Sequence, residues 1–492
     1  MNPSSELVNR LWRLCALLRK DGVTYQQYVT ELTYLLFLKM ASEQHDETRI
    51  PSEYRWLALK SANETDVLQR YKRALIDLGD GTKVADRSIV AIFLNASTIV
   101  REPANLRKLV DAIDSLHWYS DERDSFGDAY EGLLQKMAEE TKRGAGQYFT
   151  PRVLIDCMVR VSKPLVGEVI QDPAAGTGGF LIAADQCMRA ASDDYFALSP
   201  KQQAFQLKSA FRGMENVPDT FRLLLMNLHL HKVDSDHIDL ADTLSPHGAD
   251  TVFKNANLIL TNPPFGPAGS PPTRDDLTVT DRVSSYQLPF VEHIIRALKL
   301  GGRAAVVVPD NVLFEDGRGK LLRQMLLQRC DLHTVLRLPM GIFYAQGVKT
   351  NVLFFNRSTS DAPVEDETKA VWFYDMRTNM PTFGKTKPLK PADFGDFIDE
   401  FGADPYGKST RIDRGAEGRF RKYTRVEISQ RADNLDITWL KESDNSHEDG
   451  LIRPIEIATA MEVHLATALE DIRTLIEVLS NDGATEEAEA VA

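Results

Sequence analysis

The stretch VIQDPAAGTGGF, residues 169–180, decides the fold class of this chain. An apolar run ends at Ile170, Asp172 and the proline after it stop the run, and Phe180 opens a stretch with helical periodicity. The glycines of the intervening turn are Gly176, Gly178 and Gly179. A strand, a glycine turn and a helix in this order predict a loop whose main chain closely approaches a dinucleotide-like ligand. Nicotinamide cofactors use the same arrangement, so the loop alone leaves the cofactor open.

The segments on either side of this loop have different patterns. From about residue 151, apolar runs of strand length alternate with helical stretches, as in AFRGMENV, ANLILTNPPF, RAAVVVPDNVLF and NVLFFNR. Such alternation predicts an α/β fold with a parallel sheet and helices on both faces. Up to about residue 120, long segments have helical periodicity and few strand signals. One helical face is predicted to carry Tyr28, Leu32, Leu35, Leu36 and Met40.

Glu215 follows the apolar segment that should form the second strand of this sheet. A carboxylate at this position accepts hydrogen bonds from the ribose hydroxyls of a bound nucleotide. Nicotinamide and S-adenosylmethionine sites both use this device. The separation between Gly179 and Glu215 exceeds the usual twenty residues or so, which predicts an inserted helix between them.

The motif that discriminates between the cofactors is TNPPF, Thr261 to Phe265, directly after the predicted strand ANLIL. Methylation of an exocyclic amine is difficult because the nitrogen lone pair is delocalised into the ring. The side-chain oxygen of Asn262 and the carbonyl of Pro263 offer acceptors for both amino hydrogens, and Pro263 and Pro264 hold the turn rigid. Phe265 offers a ring face on which a flipped base can stack. The pattern predicts methyl transfer to an amino nitrogen.

Together these motifs resemble the N6-adenine DNA methyltransferases, and specifically the modification subunits of type I restriction-modification systems. The resemblance covers nearly the whole chain. It is carried by AGQYFTP at 145–151, DPAAGTGGF at 172–180, Glu215, ADTL at 241–244, NPPF at 262–265 and GGRAAVVVPDNVLF at 301–314. It implies a class I S-adenosylmethionine-dependent methyltransferase core, which is Rossmann-like, with a helical N-terminal domain and a C-terminal helical extension.

The resemblance also implies roles for individual residues. Catalysis falls to Asn262, Pro263, Pro264 and Phe265. The pocket for S-adenosylmethionine is expected to involve Gln147, Tyr148, Phe149, Thr150, Pro151, Arg152, Asp172, Gly176, Thr177, Gly178, Gly179, Glu215 and Asp242. Asp242 is expected near the adenine ring of the cofactor. No metal site is expected. From the residues alone, GQYFTP is a loop and a helix start, with Thr150 before Pro151.

The composition limits how the chain can use DNA. Lysine and arginine number 58 against 71 acidic residues, giving a formal net charge of −13. A negative net charge is not expected of a protein that binds nucleic acid over its whole surface. The basic residues that contact DNA are therefore expected to be local or to come from a partner. No apolar run is long enough to span a membrane, and we expect a cytoplasmic protein. None of the four cysteines follows a proline, which argues against covalent cytosine C5 chemistry.

The predicted domains are a helical N-terminal domain at 1–125, the methyltransferase domain at 126–360, an irregular extension at 361–450, a partner-docking helix at 451–480 and a disordered acidic tail at 481–492. The docking helix carries the stripe Met461, Leu465, Leu469, Ile472, Ile476 and Leu479. The sequence outside the methyltransferase motifs is short and poor in basic runs, so little of it is left to recognise a DNA target. We therefore expect a separate specificity subunit, and the resemblance adds a restriction subunit, a second copy of this chain and double-stranded DNA as partners.

Two rivals remain on sequence alone. A stand-alone methyltransferase acting on RNA or on a protein glutamine uses a similar turn on this fold. A binding protein that kept the fold but lost catalysis is the other. The segment GADPYGKS, 402–409, matches the Walker A pattern but lacks a buried strand before it and a helix after it, so it predicts no phosphate loop.

Overall fold

The computed structural model describes residues 3–19, 23–116, 125–140, 149–343, 348–362, 365–384 and 387–441. The chain divides into two compact units, with the boundary between Asp242 and Thr243. Within the described residues no helix is both long and apolar enough to cross a bilayer. The predicted docking helix and acidic tail lie outside the described residues. The domain boundaries drawn from the sequence stay a prediction.

The first unit is mainly helical. Its helices are α1 (Pro3–Arg19), α2 (Tyr25–Glu43), α3 (Trp56–Lys60), α4 (Glu64–Leu78), α5 (Arg87–Phe93), α6 (Pro103–Asp114), α7 (Ser125–Glu140), α8 (Arg152–Ser162), α9 (Gly179–Ala191), α10 (Pro200–Lys208) and α11 (Pro218–Leu230). Helix α10 lies between the glycine loop and Glu215, which confirms the inserted helix predicted from the long separation.

Helix α2 is the centre of the helical part of this unit. It begins with a capping box, in which Thr24 and Gln27 satisfy each other's backbone N–H groups. The predicted apolar face is buried, but the helix is buried on its other faces as well. Glu31 is only 1% exposed, and its carboxylate accepts hydrogen bonds of 2.9 Å from Thr98 Oγ1 and the Ile99 N–H. Burial raises the pKa of this carboxyl.

Three short parallel strands follow in the first unit: β1 (Ile170–Asp172), β2 (Phe211–Glu215) and β3 (Ile238–Leu240). Strand β2 lies between the other two, with Asp172 beside Gly213 and Glu215 beside Leu240. Because the strands are parallel, their carboxyl ends lie at one edge. Asp172, Glu215 and the residues after β3 are therefore at the same edge of the sheet.

The second unit carries a mixed sheet. Its elements are β4 (Ala256–Thr261), α12 (Gln287–Ala297), β5 (Leu298–Pro309), α13 (Asn311–Phe314), α14 (Arg318–Arg329), β6 (Cys330–Arg337), β7 (Thr350–Arg357), β8 (Ala370–Asp375), α15 (Gly395–Phe401), β9 (Phe420–Thr424) and α16 (Arg425–Gln430). The strand order in this unit is β4-β5-β7-β6-β8-β9.

Strand β7 departs from the expected parallel arrangement. It lies between β5 and β6 and pairs antiparallel with both, and all eight of its residues are buried. The stretch between LHTVLRLP and NVLFFNR contains no helical pattern to carry the chain back for a parallel return, which explains the reversal. Strand β9 also pairs antiparallel, with β8. The prediction of a parallel sheet is therefore wrong for β7, whereas β9 belongs to the segment that was predicted as an irregular extension.

The described part of the irregular extension is built into the second unit. Strand β8, the sequence AVWFYD, pairs parallel with β6, and β9 extends the sheet further. Side chains fix the segment that follows, because the buried guanidinium of Arg323 donates to the Asp433 carbonyl at 2.9 Å. Arg425 bridges Asp366 and Asp433 at 2.6 and 2.7 Å. These residues contribute to the packing of the sheet.

Candidate active site

The glycine loop in the first unit is a tight turn held by main-chain hydrogen bonds. After β1, the Ala174 N–H donates to Asp172 Oδ1 at 3.1 Å, and the Ala175 N–H donates to the Met214 carbonyl at 2.8 Å. The Gly178 N–H closes the turn on the Ala175 carbonyl at 2.8 Å, and helix α9 begins at the next residue. The strand, turn and helix predicted from the sequence are confirmed.

Gly178 has φ +86°, in the left-handed region that favours glycine. A Cβ atom built at this position would lie 2.7 Å from Leu224 Cδ1 and 3.5 Å from Leu228 Cδ2, both on helix α11. The loop therefore rests directly on α11. A side chain at Gly178 would therefore require either Leu224 or the loop to shift.

Glu215 is 6% exposed and holds the loop from its other side. Its Oε2 accepts the Gly176 N–H at 3.0 Å, and its Oε1 accepts the Val217 N–H at 2.8 Å. Burial raises the pKa of this carboxyl, while its backbone hydrogen bonds favour the charged form. Since a carboxylate offers about four acceptor sites, capacity remains for hydroxyl donors of a ligand.

Asp242 and the GQYFTP segment are the other predicted parts of the cofactor pocket. Asp242 is exposed and lies two residues beyond β3, at the same sheet edge as Glu215. Gln147 and Tyr148 lie outside the described residues. Phe149 and Thr150 are half-buried, and helix α8 begins one residue later than expected, with Pro151 as its N-cap.

Arg152 has several protein partners. Its Nη1 contacts both carboxylate oxygens of Glu131 at 2.9 and 2.7 Å, its Nη2 donates to Gln186 Oε1 at 2.5 Å, and its Nε donates to Asp156 at 2.8 Å. The guanidinium thus ties α8 to α7 and α9. These contacts support a structural role for Arg152, and its contact with a cofactor stays a prediction.

The NPPF turn in the second unit follows the buried strand β4. Pro263 is buried, while Asn262, Pro264 and Phe265 are half-buried. The turn ends at Gly266, which has φ +92°. Its N–H donates to Gln287 Oε1 at 3.0 Å, and its carbonyl accepts the Tyr286 N–H at 3.0 Å. The two prolines and this anchor at the start of α12 hold the turn rigid.

An aromatic neighbour orients Phe265. The ring of Phe343, on the segment after β6, contacts it edge to face, with centroids 6.4 Å apart and planes at 82°. Phe343 is 8% exposed, so it is well anchored. The sequence analysis missed both Phe343 and Gln287, because each is distant in sequence from the turn that it supports.

An ion pair fixes the carboxyl ends of strands in the second unit. Arg377, after β8, donates through two nitrogens to the carboxylate of Asp310, after β5, at 2.9 and 3.0 Å. Asn351 at the start of β7 donates to the same carboxylate at 2.8 Å. A bidentate arginine–carboxylate pair is geometrically specific. It therefore holds three strand ends in register beside β4, which pairs with β5 up to Thr261.

The Walker-like segment, 402–409, lacks the structural surroundings of a phosphate loop. Gly402 follows helix α15, and the described residues 410–419 contain no helix, so the Walker-like segment has the wrong context for a phosphate loop. Within the parts of the chain that the structure describes, no group of three or more histidine, cysteine or acidic residues could hold a metal.

The chain belongs to the N-6 DNA methylase family, which matches residues 121–449. The HsdM N-terminal domain matches residues 7–143. Similar proteins include the methylase subunits of the type I restriction enzymes StySPI from Salmonella potsdam and EcoKI from Escherichia coli K12. Each is 45% identical over 99% of this chain and 97% of the relative.

Solved structures agree with these matches. The crystal structure of the EcoKI M protein is 41% identical, covers 96% of both chains and has a TM-score of 0.57. A structure from work on the assembly and conformational transition of the type I R-M system is 26% identical, covers 98% of this chain and 99% of the other, and has a TM-score of 0.74. The chain is thus a methylase subunit of a type I restriction-modification system and an adenine-specific DNA methyltransferase. The predicted family, fold class and activity are confirmed, and the family implies use of S-adenosylmethionine.

Proposed function

We propose that this subunit transfers a methyl group from S-adenosylmethionine to N6 of an adenine flipped out of double-stranded DNA, while a specificity subunit selects the sequence. The observation that carries the proposal is the rigid NPPF turn at the end of β4, anchored through Gly266 and lined by Phe265. It combines hydrogen-bond acceptors with a ring face, which are the features that an amino-bearing base requires.

The residues of the first unit fit the cofactor. The glycines of the turn allow its backbone to approach a ligand closely, and the buried Glu215 carboxylate retains acceptor capacity for ribose hydroxyls. Asp242 at the same sheet edge offers a further carboxylate. When bound, S-adenosylmethionine supplies a methyl carbon activated by a positively charged sulfur. We assign Asp172, Gly176, Thr177, Gly178, Gly179, Glu215 and Asp242 to this cofactor.

The residues of the second unit would act on the adenine. Asn262 Oδ1 and the Pro263 carbonyl accept the two amino hydrogens, which favours a tetrahedral nitrogen whose lone pair points at the methyl carbon. As the N–C bond forms and the bond between the sulfur and the methyl carbon breaks, positive charge would pass from the sulfur to this nitrogen. The two acceptors would stabilise that charge until one amino proton is released to water. Pro263 and Pro264 hold the acceptors in place. No covalent link between protein and base is needed.

A purified complex with the specificity subunit tests the whole proposal. We expect N6-methyladenine to form in duplex DNA at one sequence, in proportion to the S-adenosylmethionine consumed, as measured by mass spectrometry of nucleosides. Methylation of RNA or of a protein glutamine by the isolated chain would instead support the rival enzyme. The absence of any methyl transfer by the complex would support a binding protein without catalysis.

Phe265→Ala should weaken capture of the flipped adenine by about 1–3 kcal/mol, the usual contribution of stacking a base on an aromatic ring. Phe265→Tyr keeps the ring and should retain capture. The measurement is the fluorescence of a DNA duplex with 2-aminopurine at the target adenine, titrated with the assembled complex. Equal affinities for the two variants would contradict the stacking role.

The net charge of −13 supports the need for partners in DNA recognition. We propose that residues 451–480 form an amphipathic helix that binds the specificity subunit. The restriction subunit and a second copy of this chain would join the same assembly. The support for this helix is its apolar stripe from Met461 to Leu479.

Truncation after Gly450 should leave a folded protein that binds S-adenosylmethionine but no longer co-purifies with the specificity subunit or methylates DNA. Truncation after Ser480 removes only the acidic tail and should leave the complex intact. Affinity co-purification and a methylation assay measure both outcomes. If the shorter protein still assembles and methylates its site, the helix is not the docking element.

A further inference from the structure

Helix α11 supports the glycine loop along one face. Leu224, Asn227 and Leu228 occupy helical positions i, i+3 and i+4, which share a face. The two leucines lie beneath Gly178, as their distances from a built Cβ show. Asn227, between them in sequence, is therefore the polar residue of the face that the loop rests on.

Asn227 makes one direct contact with the loop. It is 1% exposed, and its Nδ2 donates to the Thr177 carbonyl at 2.8 Å. Because a carbonyl only accepts, the side-chain amide must present its NH₂ group here. Its Oδ1 is buried and has no hydrogen-bond partner among the described residues.

The contact controls the orientation of one peptide group. The Thr177 carbonyl and the Gly178 N–H belong to the same planar peptide unit. Its carbonyl is held by Asn227, and its N–H is held by the Ala175 carbonyl at 2.8 Å. These two hydrogen bonds fix the plane just before the left-handed Gly178 and the start of α9.

We propose that Asn227 is a positioning residue for the cofactor: its amide locks the Thr177–Gly178 peptide so that the glycine loop is preorganised to bind S-adenosylmethionine. The inference rests on the proposed assignment of this loop to the cofactor. Asn227 acts through the loop and has no part in the chemical step. Its loss should raise the KM for S-adenosylmethionine, with kcat at saturating cofactor largely retained.

Two variants separate this role from general packing. Asn227→Leu keeps a similar volume but removes the donor, and should weaken S-adenosylmethionine binding by about ten- to hundredfold, the range for one buried hydrogen bond. Asn227→Asp places a carboxylate opposite the Thr177 carbonyl at high pH, so binding should be weak at pH 8. Burial raises the pKa of such a carboxyl, and its protonated form donates again. Affinity relative to wild type should therefore recover towards pH 6.

Calorimetry of the full-length protein with S-adenosylmethionine at both pH values provides the readout, and thermal melting checks that each variant folds. Burial raises the pKa of Glu215, which holds the loop from the end of β2, and lowers that of His229 on α11, so each affinity is divided by the wild-type value at the same pH. Met226→Leu, a volume-conserving change in the same helix, is the control and should bind normally.

The outcomes distinguish the two proposals. If wild type and Gly178→Asp bind S-adenosylmethionine equally, or neither binds it, the assignment of the loop to the cofactor fails. If wild type binds, Gly178→Asp does not, and Asn227→Leu binds as wild type does, only the role of Asn227 is overturned. The same conclusion follows if Asn227→Asp and Asn227→Leu show the same dependence on pH.

Discussion

Asn262→Ala should reduce methyl transfer by roughly two to four orders of magnitude, the scale of losing a positioned catalytic group. The affinity for S-adenosylmethionine should not change, because the glycine loop and Glu215 are untouched. Alanine removes the side-chain acceptor but leaves the carbonyl of Pro263 in place. Single-turnover methylation of duplex DNA by the complex with the specificity subunit measures the effect, and calorimetry measures cofactor binding.

Asn262→Asp is the matched comparison, because aspartate keeps a side-chain oxygen at nearly the same position. It should retain more activity than the alanine variant. The turn itself should survive in both variants, since Pro263, Pro264 and the hydrogen bond from Gly266 to Gln287 hold it. Near-normal turnover of Asn262→Ala would refute its proposed role in accepting an amino hydrogen.

Gly178→Asp should abolish detectable binding of S-adenosylmethionine in a protein that still folds. Its Cβ would lie 2.7 Å from Leu224 Cδ1, a separation that side chains do not tolerate, and the residue has φ +86°. Either Leu224 or the loop must therefore shift, and the aspartate also adds a carboxylate and bulk where the main chain is proposed to approach the cofactor. Calorimetry with the cofactor and circular dichroism of the variant measure the two parts of this prediction.

Gly167→Asp is the control for backbone strain. Gly167 has φ +88°, almost the same as Gly178, but a built Cβ there has no atom within 4 Å. This variant carries the conformational cost without the collision, so it should bind S-adenosylmethionine normally. Unchanged affinity in a folded Gly178→Asp protein would remove the glycine loop from the cofactor site.

Local chemistry made both candidate motifs predictable. The glycine loop and the NPPF turn are encoded by residues that restrict or free the backbone within a few positions, and both follow a recognisable strand. Glu215 was identified because it ends the second strand of a parallel sheet, which places it at the ligand edge. The structure adds that the Glu215 carboxylate also accepts a hydrogen bond from the Gly176 N–H. The assignment of these residues to cofactor and base remains a prediction.

The supporting residues could not be predicted because their partners are remote. Asn227 binds a carbonyl 50 positions away, Gln287 binds an N–H 21 positions away, and Arg377 binds a carboxylate 67 positions away. Each is an ordinary polar residue whose neighbours in sequence carry no sign of its contact. Only the packing of helices and strands brings the pairs together.

The sheet was only partly predictable for a related reason. Apolar runs identify buried strands, but they do not specify strand direction. Strand β7 runs antiparallel to β5 and β6, yet its sequence is an apolar run like theirs. The burial of every side of α2 could not be predicted either, because a glutamate such as Glu31 usually lies at the surface. Here Thr98 and the Ile99 N–H donate hydrogen bonds to its carboxylate, which allows it to be buried. Tertiary contacts overrode the local pattern in both cases.

The position of β7 has a consequence for biosynthesis. Strands β5 and β6 emerge from the ribosome before β7, but native pairing places β7 between them. The centre of the second unit therefore cannot form progressively during translation, and must wait until about Arg357 is available. Until then β5 and β6 each lack the neighbour that covers one edge, and exposed strand edges promote aggregation. A nascent chain halted just before Thr350 is accordingly the stage at which chaperones are most needed.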